Sequence, residues 1–519
     1  MPHTHRRLPR LLPLALVAAG LAWAGTTTGA DAAPAAPPGC ATRTNNTYGK
    51  LLECVSLDGV RAHQRALQNI ADANHDEFYP GTRAAGTTGY ANSAAYVAGK
   101  LQAAGYTVTL DEFDFEFQFP ALLRQLTPVS ATYASGTFTG SGNGDVTAAV
   151  TPVDINLIPP RASTSGCEAG DFAGFPAGNI ALVQRGTCTF AVKALNAQAA
   201  GASAVVIFNQ GNTPDREGLI IGTLAPDTVN IPVVGASFAD GSALSQPGST
   251  ARVRVLPSEQ RTNVNVIAEM PGDNTDNVVM AGAHLDSVVQ GPGINDNGSG
   301  SAALLETALQ MAKVKPVNTV RFAWWGDEEG GLVGSTAYVD GLSQAERDRI
   351  ALYMNYDMIG SPNYILMTYD ADESTFTAPV TVPPGSEAIE KLYEGFYTSR
   401  NVPYDDTAFN GRSDYQAFIE AGIPSGGLFT GAEGIKTVAQ AGIWGGTAGA
   451  QYDPCYHLAC DTFANNADAA LDVNSDLVAY AMLTYAFSTE SVNGVPGKPV
   501  PGSPSSPLPA PAGPQGTTG

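Results

Sequence analysis

Two histidines and a set of carboxylates carry the chemistry in this sequence. An apolar run at 278–283 ends in His284, with Asp286 two residues on and Asp296 ten beyond that. A second apolar run, 320–325, ends in Asp327, Glu328 and Glu329, and a third, 350–354, leads to Asp357. His457 stands much later, in a polar loop. Imidazole nitrogen and carboxylate oxygen without thiolate suit zinc or a similar divalent ion. One ion needs about three protein ligands, and two ions sharing a carboxylate need about five. His284, Asp296, Glu329, Asp357 and His457 make such a set. Asp296 lies in INDNGSG at 294–300, whose glycines let the backbone come close to an ion. Buried together and charged, the neighbours Glu328 and Glu329 would repel. A division of labour removes that cost, with one carboxylate on metal and the other holding the proton taken from water.

Strands and helices must bring these groups together. Strands are expected at 264–270, 278–283, 320–325, 350–354 and 426–429, and helices at 298–311, 334–342, 387–400 and 467–488. Upstream, 94–104 reads as a helix stopped by Gly105, and 106–115 alternates like a strand. Alternation of this kind predicts the α/β class, a mostly parallel central sheet flanked by helices. Active sites of such sheets form at the strands' carboxyl ends, where the histidine and carboxylates fall. Between 119 and 257 the character changes to short β-rich runs (151–158, 180–184, 204–208, 231–234) around one helix at 191–200. This predicts a small α+β domain inserted into a larger one made of 40–118 and 258–492. The proline-rich stretch 493–519 predicts a disordered tail.

Composition bounds the setting. The chain has 519 residues and a formal net charge of −22, which disfavours nucleic acid and anionic membranes as partners. Arg6, Arg7 and Arg10 precede an apolar run at 11–24, and Ala30-Asp31-Ala32 is a cleavage pattern, so 1–32 reads as a signal peptide of a secreted, extracellular protein. The run is shorter than the roughly 20 residues that a membrane span needs. Six cysteines (Cys40, Cys54, Cys167, Cys188, Cys455, Cys460) in an exported chain predict three disulfides. They allow about 15 connectivities, of which nearest-neighbour pairing is the simplest.

The motifs HLDS, INDNGSG, FAWWGDEEGGLVGS, NYDMIGS, GRSDY and CYHLAC, taken in order, resemble the secreted co-catalytic dizinc aminopeptidases of the leucyl aminopeptidase and aminopeptidase Y type. The segment 178–209, with its RG-x-C-x-F turn, resembles the protease-associated (PA) domain. The resemblance implies two zinc ions, one on His284, Asp296 and Asp357 and the other on Asp296, Glu329 and His457. It implies Glu328 as general base and acid, Tyr456 as donor to the developing oxyanion and Asp286 as the residue that orients His284. Arg412, Met358 and Phe429 match positions around the substrate, and Cys455 and Cys460 match a disulfide bracing the Tyr456–His457 loop. Asp472 and Asp476, four apart on an expected helix, match a calcium site of some relatives.

The activity these features imply is removal of N-terminal residues, large apolar ones, from peptides by a metal-bridging hydroxide, in a monomer with no membrane span. The rival readings are a PA-bearing dizinc carboxypeptidase, for which Arg412 would supply the cation facing a substrate carboxylate, a glutaminyl cyclase, and a non-catalytic binding protein of the same fold.

Overall fold

The computed structural model describes residues 39–226, 229–503 and 508–516, so the expected signal peptide lies outside the described residues. At its centre Asn318–Trp325, Asn274–His284, Ile350–Tyr356 and Ser425–Phe429 run parallel, side by side. Antiparallel strands close both edges of this eight-stranded sheet. Glu259–Met270 and Thr107–Phe117 lie beyond Asn318–Trp325, and Met367–Tyr369 with Asp405–Thr407 lie beyond Ser425–Phe429.

The central strands are apolar along their length because both faces are covered. Successive side chains point to opposite faces. Val320, Phe322 and Trp324 thus enter one core, with the helices Leu57–Ala73, Thr88–Ala104, Gly298–Met311 and Asp468–Phe487, while Ala323 and Trp325 enter the other with Tyr353 and Phe418. The buried Trp325 indole N–H donates to the Tyr353 hydroxyl at 2.8 Å, which leaves neither group unpaired in the core. His284 is the last residue of its strand, Asp357 follows Tyr356, and Glu328 and Glu329 come just after Trp325, so neighbouring parallel strands deliver them to one edge.

Thr107–Phe117 and Glu259–Met270 pair in unbroken register from Thr107↔Glu269 to Phe117↔Glu259, and the inserted residues rise from between them. They form a seven-stranded sheet with Thr250–Val255 between Leu122–Thr127 and Gly144–Pro152, followed by Ile180–Gln184, Ala204–Phe208 and Val233–Ala236. The helix Phe190–Ala199 is capped by Thr189, whose hydroxyl accepts from the Val192 N–H. The strand expected at 151–158 is displaced. It runs Gly144–Pro152 and ends where proline has no N–H for the ladder, and the Asn156 N–H turns instead to the Gln184 side chain at 2.7 Å. Disulfides join Cys40 to Cys54, Cys167 to Cys188 and Cys455 to Cys460.

The proline-rich stretch also departs from expectation, since its described parts are docked rather than disordered. Val500 is buried, and Leu508 lies over Gly395, where the missing side chain leaves room for it. The N–H groups of Ala512, Gly513 and Gln515 donate to Thr398 Oγ1, Tyr404 OH and the Tyr404 carbonyl at 2.8–3.0 Å. Prolines lack amide hydrogens, but the residues between them still find acceptors.

Gly298–Met311 starts at the carboxyl edge of the sheet. The Asn297 side chain accepts from the Gly300 N–H at 2.9 Å and donates to the Tyr356 carbonyl at 2.9 Å. A Cβ on Gly300 would stand 2.0 Å from that carbonyl oxygen, so the helix can lie this close to the strand only with glycine there. Gly300→Ala is therefore expected to cost about 1–3 kcal/mol by overpacking. Urea unfolding should give a lower midpoint with an unchanged slope, and an unchanged midpoint would show that the contact relaxes freely.

Candidate metal centre

Three parallel strands and two loops converge on Asp296. Its Oδ1 lies 3.2 Å from His284 Nε2, and its Oδ2 lies 3.2 Å from His457 Nε2. His284 Nε2 is also 3.3 Å from Asp357 Oδ1, and His457 Nε2 is 3.1 Å from Glu329 Oε2. The structure thus brings together all five expected ligands, and donor atoms of His284, Glu328 and Asp357 form one close trio, those of Asp296, Glu329 and His457 another. His284 Nε2, Asp357 Oδ1 and Glu329 Oε1 are buried without a hydrogen-bond partner. Buried polar atoms are rarely left this way, and a two-imidazole, all-carboxylate donor set fits zinc.

The surroundings fix each group. Asp286, fully buried, has Oδ1 3.5 Å from His284 Nδ1 and accepts the Glu328 and Glu329 N–H groups at 3.2 and 3.3 Å. One carboxylate thereby sets both the ring and the turn carrying the glutamate pair. Asp357 Oδ2 accepts from Ser413 Oγ at 2.6 Å. His457 holds a left-handed φ of 57°, uncommon for a side-chain-bearing residue, between the bridged Cys455 and Cys460. Tyr456 stacks on the His457 ring, with centroids 3.8 Å apart.

Sequence reasoning missed three supports. The Arg83 guanidinium is buried and donates to the carbonyls of Leu285, Pro292 and Gly293, stitching the loop between His284 and Asp296. Burial lowers its pKa to about 10, so it keeps its charge at neutral pH. Asp461 accepts the Asn295 and Asp296 N–H groups at 2.8 and 3.0 Å, and burial raises its pKa to about 8. Ser413 is the third. Asp461 adjoins the CYHLAC motif and Ser413 lies inside GRSDY, so position beside a motif was the available signal, whereas Arg83 has none.

Titration follows from this crowding. Burial raises Glu328 well above the usual carboxylate range, with Asp357, Asp414 and Glu329 adding to the shift against His284. Burial also raises Glu329, to about 7. Burial alone would lower His457, but its bonds to Asp296 and Glu329 prevail and raise it to about 10, and the carboxylates around His284 raise it likewise.

A cavity of about 650 Å³ opens beside the centre, lined by Met358, Met367, Tyr369, Phe376 and Phe429 among others. Among the described residues, none from the insert lines it. Arg412 reaches its rim, where it donates to Tyr456 OH at 3.1 Å and to Glu433 at 2.6 Å. Asp472 and Asp476 lie elsewhere and form no group with a third histidine, cysteine or carboxylate among the described residues. Asp476 Oδ2 pairs with Arg400 at 2.6 Å.

The chain is similar to known proteins over most of its length. The profile of peptidase family M28 matches residues 265–482, and that of the PA domain matches 146–244. The chain is 49% identical over 453 residues to an aminopeptidase of Pseudomonas aeruginosa, covering 85% of this chain and 83% of that one. It is 38% identical over 459 residues to leucine aminopeptidase 2 of Trichophyton rubrum, covering 87% and 88%. Among solved structures it is similar to BSAP, a zinc aminopeptidase from Bacillus subtilis, with a TM-score of 0.57 and 26% identity over 82% of this chain and 94% of that one.

Metal ligands must be deprotonated, so uptake by this centre has to displace the protons that its raised imidazoles hold. Stripped protein titrated with zinc at pH 7 should release about two to three protons per chain, one from each histidine and part of one from Glu329. Apparent affinity should rise with pH through the neutral range. Indicator-dye titration in weak buffer reads the release, and a pH-independent affinity without release would mean the histidines are neutral before metal arrives.

Proposed function

The chain belongs to peptidase family M28 and is a zinc aminopeptidase with a PA domain, and on that premise we propose that it removes N-terminal residues, large apolar ones foremost, using two zinc ions. His284, Asp296 and Asp357 would hold one ion, and Asp296, Glu329 and His457 the other. The observation that carries this reading is Asp296, which turns one carboxylate oxygen to each imidazole at 3.2 Å. Zinc, when bound, would supply Lewis acidity to the scissile carbonyl and to the attacking water, whose pKa it lowers toward about 7.

The protein's own groups do the rest. Glu328, whose N–H is tied to Asp286, takes the proton from the attacking water and passes it to the departing amine. The Tyr456 hydroxyl donates to the oxyanion, with Arg412 holding it in place at 3.1 Å. The free amine of the substrate's N-terminus would also be taken by bound metal beside the attacking water, which is what makes the reading an aminopeptidase. Met367, Tyr369, Phe376 and Phe429 give the adjoining cavity an apolar lining for the first side chain. Arg412 is already engaged by Glu433, which weakens the carboxypeptidase reading. Residues 40–118 and 258–492 would form the peptidase domain and 119–257 the PA insert. Three disulfides fit a protein that works outside the reducing cytoplasm.

A time course on a free peptide, read by mass spectrometry, should show stepwise loss from the N-terminus and none after N-acetylation. Loss from the C-terminus would overturn the reading. Glu328→Gln should retain both zinc ions by elemental analysis and lose about 100-fold or more in kcat. A variant that loses zinc, or stays active, removes Glu328 from the proton-transfer role.

A further inference from the structure

A second group of acidic side chains, none of them a residue of the metal centre, gathers at the edge of the sheet, where Asp406 also lines the cavity beside that centre. Glu390 and Glu394 are successive turns of the helix Ser386–Ser399 and face inward, 2% and 9% exposed. Asp406, 4% exposed, meets them from the edge strand Asp405–Thr407. Carboxylate oxygens of these three lie within 4.8 Å of one another, and Glu390 also forms such a trio with Asp370 and Asp372. Like charges four apart on a helix repel, and burial magnifies the cost. Among the described residues, no lysine, arginine or histidine pairs with any of the five.

The backbone answers part of this charge. Asp370 accepts the N–H groups of Ser374, Thr375 and Phe376 at 3.0, 2.9 and 2.6 Å, and Glu390 Oε2 accepts those of Ala371 and Asp372 at 3.1 and 3.0 Å. Asp406 Oδ2 accepts from the Thr375 hydroxyl. Its other oxygen, Oδ1, is buried and has no hydrogen-bond partner. A carboxylate almost wholly removed from water, with one oxygen unanswered beside two further carboxylates, is the arrangement a cation would complete.

We propose that Glu390, Glu394 and Asp406, flanked by Asp370 and Asp372, bind a calcium ion. The donors are all hard oxygens, drawn from a helix, a turn and a strand. Calcium accepts six to eight oxygens at about 2.3–2.6 Å in irregular geometry, whereas magnesium demands a tight octahedron. The site ties the helix Ser386–Ser399 to the turn 370–376 and the strand Asp405–Thr407, and that turn carries Phe376 to the cavity wall. The competing account is that the carboxyls share protons, since burial raises Glu390 to about 8 and Glu394 to about 7.

The test uses protein freed of divalent ions on a chelating resin, reloaded with zinc, and dialysed against radiolabelled calcium at pH 7.5. The wild type should bind calcium with a dissociation constant of about 1 mM or below, and its melting midpoint should rise when calcium is added. Glu394→Gln and Asp406→Asn should each weaken binding by about tenfold or more and abolish the rise, with zinc content and circular dichroism unchanged. Asp472→Asn is the control and should bind as the wild type does. A wild type that binds no calcium overturns the site, as do folded Glu394→Gln and Asp406→Asn proteins that bind as much as the wild type. A Glu394→Gln protein more stable than a calcium-insensitive wild type would assign the cluster to shared protons instead.

Discussion

Holding many carboxylates together at one dry edge of a sheet is the constraint on which the rest of this structure depends. Asp286, Asp296, Asp357 and Asp461 are all buried there, with Glu328 and Glu329 beside them. Unpaired, such charges cost more than a fold's whole margin of stability. The chain meets them with backbone amides first. Asp286 takes two N–H groups from the glutamate turn, and Asp461 takes two from the Asp296 loop. Arg83 adds a buried positive charge while its hydrogen bonds go to carbonyls, so it shapes the loop without neutralising a ligand. What the amides leave unanswered, on His284, Asp357 and Glu329, is what metal ions are suited to take.

Packing explains why this edge can be so rigid. The parallel strands are sealed on both faces, and side chains as large as Trp324 and Trp325 are fully buried on opposite sides of the same strand. Strand ends anchored this way behave as fixed points, and Gly300 lets the neighbouring helix close on the Tyr356 carbonyl. The loop that brings His457 has no such strand beneath it. It relies on the five-residue spacing of the Cys455–Cys460 bridge and on a strained backbone angle to aim its ring.

Much of this was legible in the sequence, because a residue that ends an apolar run sits at a strand's carboxyl end whatever the tertiary details. His284, Glu329 and Asp357 are all of this kind. Asp296 was legible through its glycines. Arg83 was not, because its partners lie some 200 positions away and nothing local marks a buried arginine. The edge strands Met367–Tyr369 and Asp405–Thr407 are three residues each, too short for periodicity to register. The proline-rich stretch was misread for a related reason. Composition speaks to what a segment can do alone, and its order comes from acceptors on Thr398 and Tyr404.

The unbroken register between Thr107–Phe117 and Glu259–Met270 makes these two strands the arms of a β-hairpin whose loop is an entire domain. Closing a flexible loop of about 140 residues, instead of one of about five, costs roughly 3 kcal/mol more in chain entropy. That cost falls on the edge of the catalytic sheet only while the insert is unfolded. Once the seven-stranded sheet has formed, its own Leu122–Thr127 and Thr250–Val255 pair directly, and they hold the two arms in register at the base. The topology therefore lets the insert, once folded, present Thr107–Phe117 and Glu259–Met270 to the catalytic sheet as a preformed pair.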